Sequence, residues 1–147
     1  MAKGQPTFRQ YLETGKTPKI VVPRESCYPH KPAWRVSLLE LVDPFGWHEI
    51  DASKLLDIRA KLAGIEGNTW RDILVRDAKY NHFIAVDRIC ATAQERLRAL
   101  HLDDTDALLS LRLAGTERVW GILETNVLNV LWWDPEHLVY PVEKPNT

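Results

Sequence analysis

At 147 residues, 45% hydrophobic and 27% charged, the chain has the size and make-up of one globular domain, which excludes general disorder. A domain of this length buries about 68–70% of its unfolded surface, so neither a disulfide nor a metal is needed to hold it together. The net charge is −1, Cys27 and Cys90 stand alone, residues 1–6 hold no apolar h-region, and no apolar run approaches the ~18 residues of a membrane helix; these features argue against a disulfide scaffold, a zinc ribbon, a signal peptide and a membrane span, and predict a cytoplasmic protein.

Residues 1–33 contain Pro6, Pro18, Pro23, Pro29 and Pro32 with neither a helical nor a strand period, which predicts an extended arm ahead of a single domain over 34–147. Charge is uneven along the chain. Residues 1–35 carry seven Lys/Arg against two Glu, and the remainder carries twelve against eighteen Asp/Glu. A basic arm on an acidic body can contact nucleic acid or its own body, and composition does not choose between them.

The run WRVSLLELV predicts a first strand over 34–42, and Asp43-Pro44-Phe45-Gly46 a turn, because Pro presets φ and Gly accepts positive φ. Asp51 is placed to cap a helix over 52–65, with Leu55, Ile58, Leu62 and Ile65 at helical spacing and Gly64 and Gly67 as its stop. Thr69-Trp70-Arg71-Asp72 has the form of a capping box and predicts a short second helix over 70–77. Residues 82–86 read as extended. Asp87 is placed to cap a third helix, with Ile89, Ala93, Leu97 and Leu100 on one face, and the acidic run 103–106 breaks the pattern.

Three β-like runs follow, over 108–114, 118–123 and 127–133, with Asp134-Pro135 ending the last because Pro cannot donate to a ladder. The expected fold is therefore α+β: an antiparallel sheet of about four strands with three helices packed on one face. Side chains alternate along a strand, so loop length decides which residues share a face. With Gly115-Thr116-Glu117 as a three-residue loop and Thr125-Asn126 as a two-residue loop, Leu109, Leu111, Leu113, Val119, Gly121, Leu123, Leu128, Val130 and Trp132 point one way. A two-residue first loop would bury Arg112 unpaired, which costs more than a turn preference returns. The other face then receives Ser110, Arg112, Arg118, Trp120, Ile122, Asn129, Leu131 and Trp133. If that face is open, Arg112 and Arg118 are placed to grip phosphates and Trp120 and Trp133 to stack on bases; if it is covered, the indoles are packing and the arginines pair with acids such as Asp134.

Asp134, Glu136, His137 and Tyr140 leave the last strand within seven residues. RNA cleavage by 2′-hydroxyl attack needs an acid or base near the sugar and a cation on the phosphate, and His137 or Tyr140 with Arg112 and Arg118 answers that need. Asp134 read as structure only caps the turn, and His137 is then a surface histidine. His30, His48, His82 and His101 have no metal-ligand spacing, so no metal and no cofactor are expected. The absence of GxGxxG, Walker and GxSxG signatures argues against nucleotide-dependent enzymes and α/β hydrolases.

The segment LSLRLAGTERVWGIL over 109–123, followed by VLNVLWWDPEH, resembles the C-terminal sheet of the RelE/ParE-like toxin superfamily, whose members often show a Leu-Arg…Gly…Arg-Val hairpin and then an apolar strand ending near a His or Arg. The same segment is similar to an LRLxGxxRVWGI…LLWWDPEH pattern of uncharacterised bacterial proteins. The superfamily resemblance implies a small toxin with a cognate antitoxin. RelE-like members cleave mRNA on the ribosome through basic and tyrosine or histidine residues; ParE-like members bind DNA gyrase and cleave nothing. Carried onto this chain, the matching positions are Arg112 and Arg118 on the hairpin and His137 or Tyr140 near the end. Three functions therefore stand open: a metal-independent endoribonuclease with Arg118, His137 and Tyr140 in its chemistry, a non-catalytic binding module, or an accessory nucleic-acid binder working through the basic arm. In the first two, Arg112, Trp120, Trp133 and Asp134 contact the target.

Overall fold

The computed structural model describes residues 24–141, so most of the predicted arm lies outside the described residues. The fold is α+β, built on a mixed five-stranded sheet. In chain order the strands are β1 (Ala33–Arg35), β2 (His82–Ala85), β3 (Ala107–Arg112), β4 (Arg118–Glu124) and β5 (Val127–Asp134). Their spatial order is β1-β5-β4-β3-β2, with β1 parallel to β5 and every other pair antiparallel.

Helix α1 spans Ala52–Ile65, as its spacing predicts. Asp51 caps it, its Oδ1 accepting from the Lys54 amide at 2.8 Å. Ile58 is buried, Leu62 and Ile65 pack on the core, and Leu55 stays exposed. The Thr69/Asp72 capping box forms reciprocally: Thr69 N donates to Asp72 Oδ2 at 3.0 Å, and Asp72 N to Thr69 Oγ1 at 3.2 Å. The helix it opens is only one wide turn, Asp72–Arg76. Asn81 ends it by donating Nδ2 to the carbonyl of Ile73. Helix α2 spans Ala91–Ala99 with Cys90, not Asp87, at its N-cap position and no side-chain cap; Asp87 falls in a separate turn, Val86–Arg88. Cys90 N donates to Val139 O at 2.7 Å, which fixes where α2 begins.

The first strand is shorter than its pattern predicts. After Arg35 the chain leaves the sheet, and the segment 36–50 docks along β5 instead, with Glu40 N donating to Leu131 O and Trp133 N to Phe45 O, both at 3.0 Å. The reason is Glu40, which is buried. Its carboxylate accepts from Arg96 Nε at 3.0 Å, Arg96 Nη2 at 2.5 Å and Trp132 Nε1 at 3.0 Å. Satisfying that charge inside the protein outweighs continued strand alternation.

The helices do not share one face of the sheet, contrary to expectation. Ile58 of α1, Trp70 and Ile73 pack on a core with Leu109, Leu111, Val119, Leu128 and Val130. Ala93 and Leu97 of α2 pack on a second core with Leu108, Trp120, Leu131 and Trp132, on the opposite face. Strands covered on both faces read as nearly continuous apolar runs, as β3, β4 and β5 do.

Candidate functional site

Alternation places the hairpin residues as expected through Val130. Arg112 pairs with Arg118, Leu111 with Val119 and Leu109 with Gly121. A bulge then intervenes: Trp120 pairs with Trp132 but Gly121 with Val130, which leaves Leu131 extra. One inserted residue reverses every later side chain. Trp132 therefore joins Trp120 and Leu131 in the second core, and Trp133 crosses to the first, its ring 5.8 Å from that of Trp47.

The predicted open surface of two arginines and two indoles is thus not formed. Trp120 is fully buried, with Nε1 donating to Asp134 Oδ2 at 3.1 Å, and Trp133 is 7% exposed on the other side of the sheet. Asp134 is 1% exposed and its carboxylate is occupied. Besides Trp120 it accepts from Leu138 N at 2.8 Å and Val139 N at 3.0 Å, so it holds the turn after β5. Tyr140 packs against the second core with its ring 5.8 Å from the Arg88 guanidinium, turned toward the start of α2.

What remains is a cationic strip on the α2 side of the sheet. Arg112, Arg118 and Asp134 form one row across β3, β4 and β5, and His82 lies opposite Ser110 in the adjoining row. Like charges directly opposite on neighbouring strands repel, so the pair needs a device to hold it. That device is the hairpin turn. Gly115, at φ +54°, presents its carbonyl to both guanidiniums: Arg112 Nε donates to it at 3.1 Å and Arg118 Nη1 at 2.7 Å. Arg118 Nη1 also reaches Glu117 O at 3.1 Å, and the Arg112 guanidinium lies 5.0 Å from the Tyr80 ring centre.

Among the described residues neither arginine has a carboxylate within ion-pairing distance. The nearest acid in sequence, Glu117, is drawn to α1, where Lys54 Nζ donates to it at 2.7 Å and Lys61 Nζ at 3.3 Å. Burial, and then Arg112, pull the Arg118 pKa down against the opposing charge of Asp134. His137 is half-buried in a left-handed conformation at φ +60°, within reach of the Arg118 charge. Thr116 Oγ1 donates to Pro135 O at 2.6 Å and ties the turn carrying His137 to the hairpin turn carrying the arginines. Burial first, and then Arg118, hold the His137 pKa below the usual imidazole value; Asp134 opposes and His82 adds to the depression. The site is therefore two guanidiniums with N–H donors left over among the described residues, near an imidazole whose pKa is held down.

Tyr80, His82 and Gly115 also belong to this site, although the sequence pattern gives none of them a part in it. Residue types give no sign of Tyr80 and His82, because it is the pairing of β2 with β3, across more than twenty residues, that delivers them. At the β2 edge, but chiefly on the α1 side of the sheet, a cleft of about 230 Å³ opens between Tyr28, Leu74, Ala78, Asn81, His82 and Phe83. No protein-family model matches the chain, and neither the curated proteins nor the solved structures give a match.

Proposed function

We propose that the chain is a RelE-like toxin acting in the bacterial cytoplasm as a metal-independent endoribonuclease, with Arg112, Arg118 and His137 as its working residues. The observation that supports this reading is the arginine pair itself: two guanidiniums without carboxylate partners among the described residues, beside a histidine held in its neutral form. A phosphodiester supplies the missing negative charge, and guanidinium donors stabilise it further as charge builds on the phosphorane. His137 takes the proton from the 2′-hydroxyl, the 2′-oxygen bonds to phosphorus, and the bond from phosphorus to the 5′-oxygen breaks. The proton returned to that leaving oxygen comes from His82, which projects from the same side of the sheet. The products are a 2′,3′-cyclic phosphate and a 5′-hydroxyl. A cognate antitoxin would neutralise the protein by placing an acidic segment over the arginines.

The non-catalytic alternative keeps the same cluster and drops the chemistry. The positions of Asp134 and Tyr140 favour it, since the structure occupies one with the turn and turns the other toward Arg88. One experiment separates the two readings: inducible expression followed by growth, with cleavage of a defined RNA assayed in parallel. Catalysis predicts growth arrest, cyclic-phosphate ends, no cleavage when the 2′-hydroxyl at the cut is removed, and a loss of about 10²–10⁴-fold in His137→Gln. Arrest by His137→Gln at the wild-type level, with relief only in Arg112→Ala/Arg118→Ala, would replace catalysis with binding. Wild-type arrest by both variants would remove the cluster from the function altogether.

A further inference from the structure

The segment 36–50 carries a second cluster, remote in sequence from the hairpin and independent of its reading. One ligand atom each from Asp43, His48 and Glu49 lies within 4.8 Å of the other two. His48 Nε2 is 3.4 Å from Asp43 Oδ1. We propose that these three residues bind one divalent transition-metal ion.

Geometry supports this first. Nitrogen and oxygen ligands sit about 2.0–2.2 Å from zinc, so two ligands of a tetrahedral ion are roughly 3.4 Å apart. The His48–Asp43 spacing already has that value, and Glu49, being exposed, needs only a side-chain rotation to close on the same point.

The loop is also held in shape by the core beneath it, so the ligands do not depend on a floppy segment. Trp47 N donates to Glu40 O at 2.9 Å, and Phe45 O accepts from Trp133 N at 3.0 Å. The buried Phe45 ring packs 5.6 Å from that of Trp132, and Trp47 packs on Trp133. Gly46 makes the return possible. A Cβ there would lie 2.4 Å from Val42 O and 2.5 Å from His48 Nδ1, so only glycine lets the imidazole come this close to the backbone of Val42.

Charge points the same way. Two carboxylates share this small volume, and among the described residues no lysine or arginine is ion-paired with either. A dication removes their repulsion and takes the imidazole as a third donor. One nitrogen with two oxygens suits zinc, cobalt, nickel or manganese; calcium prefers six to eight oxygens. Three protein ligands leave at least one position open to water or a ligand.

The test is titration of the full chain with zinc by calorimetry, and with cobalt by visible absorption. One ion per chain is expected, with the spectrum of low-coordinate cobalt and a higher melting temperature in zinc. Asp43→Asn, His48→Ala and Glu49→Gln should each weaken binding by about tenfold or more, since even groups behind a ligand are worth that much. All three positions are exposed, so the metal-free variants should melt with the wild type. No saturable binding of either metal, or undiminished binding in Asp43→Asn and His48→Ala, overturns the proposal.

Discussion

Burial acts on His137 more strongly than any neighbouring charge, and Arg118 pushes in the same direction. A histidine whose pKa is depressed by folding contributes stability that is fully present above the unfolded value of about 6.5. That contribution is lost as pH falls through this value toward the folded one, because the native state must then accept a proton it disfavours. Denaturation midpoints measured across this window should fall on acidification, and His137→Gln should flatten that part of the profile. Glu40 is a different kind of residue, a buried carboxylate whose oxygens are taken up by Arg96 and Trp132. Replacing it with Gln leaves Arg96 facing a neutral amide. The expected cost is about 3 kcal/mol, the low end for breaking a buried pair, because Arg96 keeps 28% of its side chain in water. Urea denaturation measures it directly; an unchanged midpoint would mean that the pair contributes nothing.

Among the elements, the β4–β5 pair is the most demanding sterically. A Cβ at Gly121 would lie 2.4 Å from Asn129 O, a backbone atom that cannot rotate away. Gly121→Ala should therefore destabilise by about 1–3 kcal/mol or more, seen as a lower melting temperature, whereas an open position such as Gly64 should tolerate alanine. Elements set by local chemistry were legible in the sequence. Asp51 and the apolar spacing of 52–65 marked α1, and Thr69/Asp72 marked the capping box. The turn residues of the two hairpins fixed the faces of Leu109 to Val130. Elements set by distant partners were not. The bulge at Leu131 leaves no mark in a run as apolar as VLNVLWW, so alternation alone puts Trp132 and Trp133 on each other's faces. The early end of β1 depends on Arg96, more than fifty residues away. Of the candidate site, Arg112, Arg118 and His137 were visible from the hairpin and the residue types. Tyr80 and His82 arrive through tertiary pairing alone.

At the scale of the molecule, a sheet packed on both faces has no broad open platform on which to recognise a ligand. α1 and α2 each seal a core, and the indoles that look like recognition residues belong to those cores. Among the described residues, arginines without carboxylate partners are left at one end of the sheet, where the β3–β4 turn carrying Arg112 and Arg118 is bonded to the turn after β5 that carries His137. An anion seated there should counter the field of Arg118 and favour the imidazolium, so binding and protonation of His137 are linked. The decisive measurement is an NMR titration of the His137 ring with and without a dinucleotide lacking the attacking 2′-hydroxyl. The expected result is a depressed pKa in the free protein that rises when the dinucleotide is bound, with the rise lost in Arg118→Ala. An unmoved titration at saturating dinucleotide, or an equal rise in Arg118→Ala, would contradict a phosphate site at this cluster.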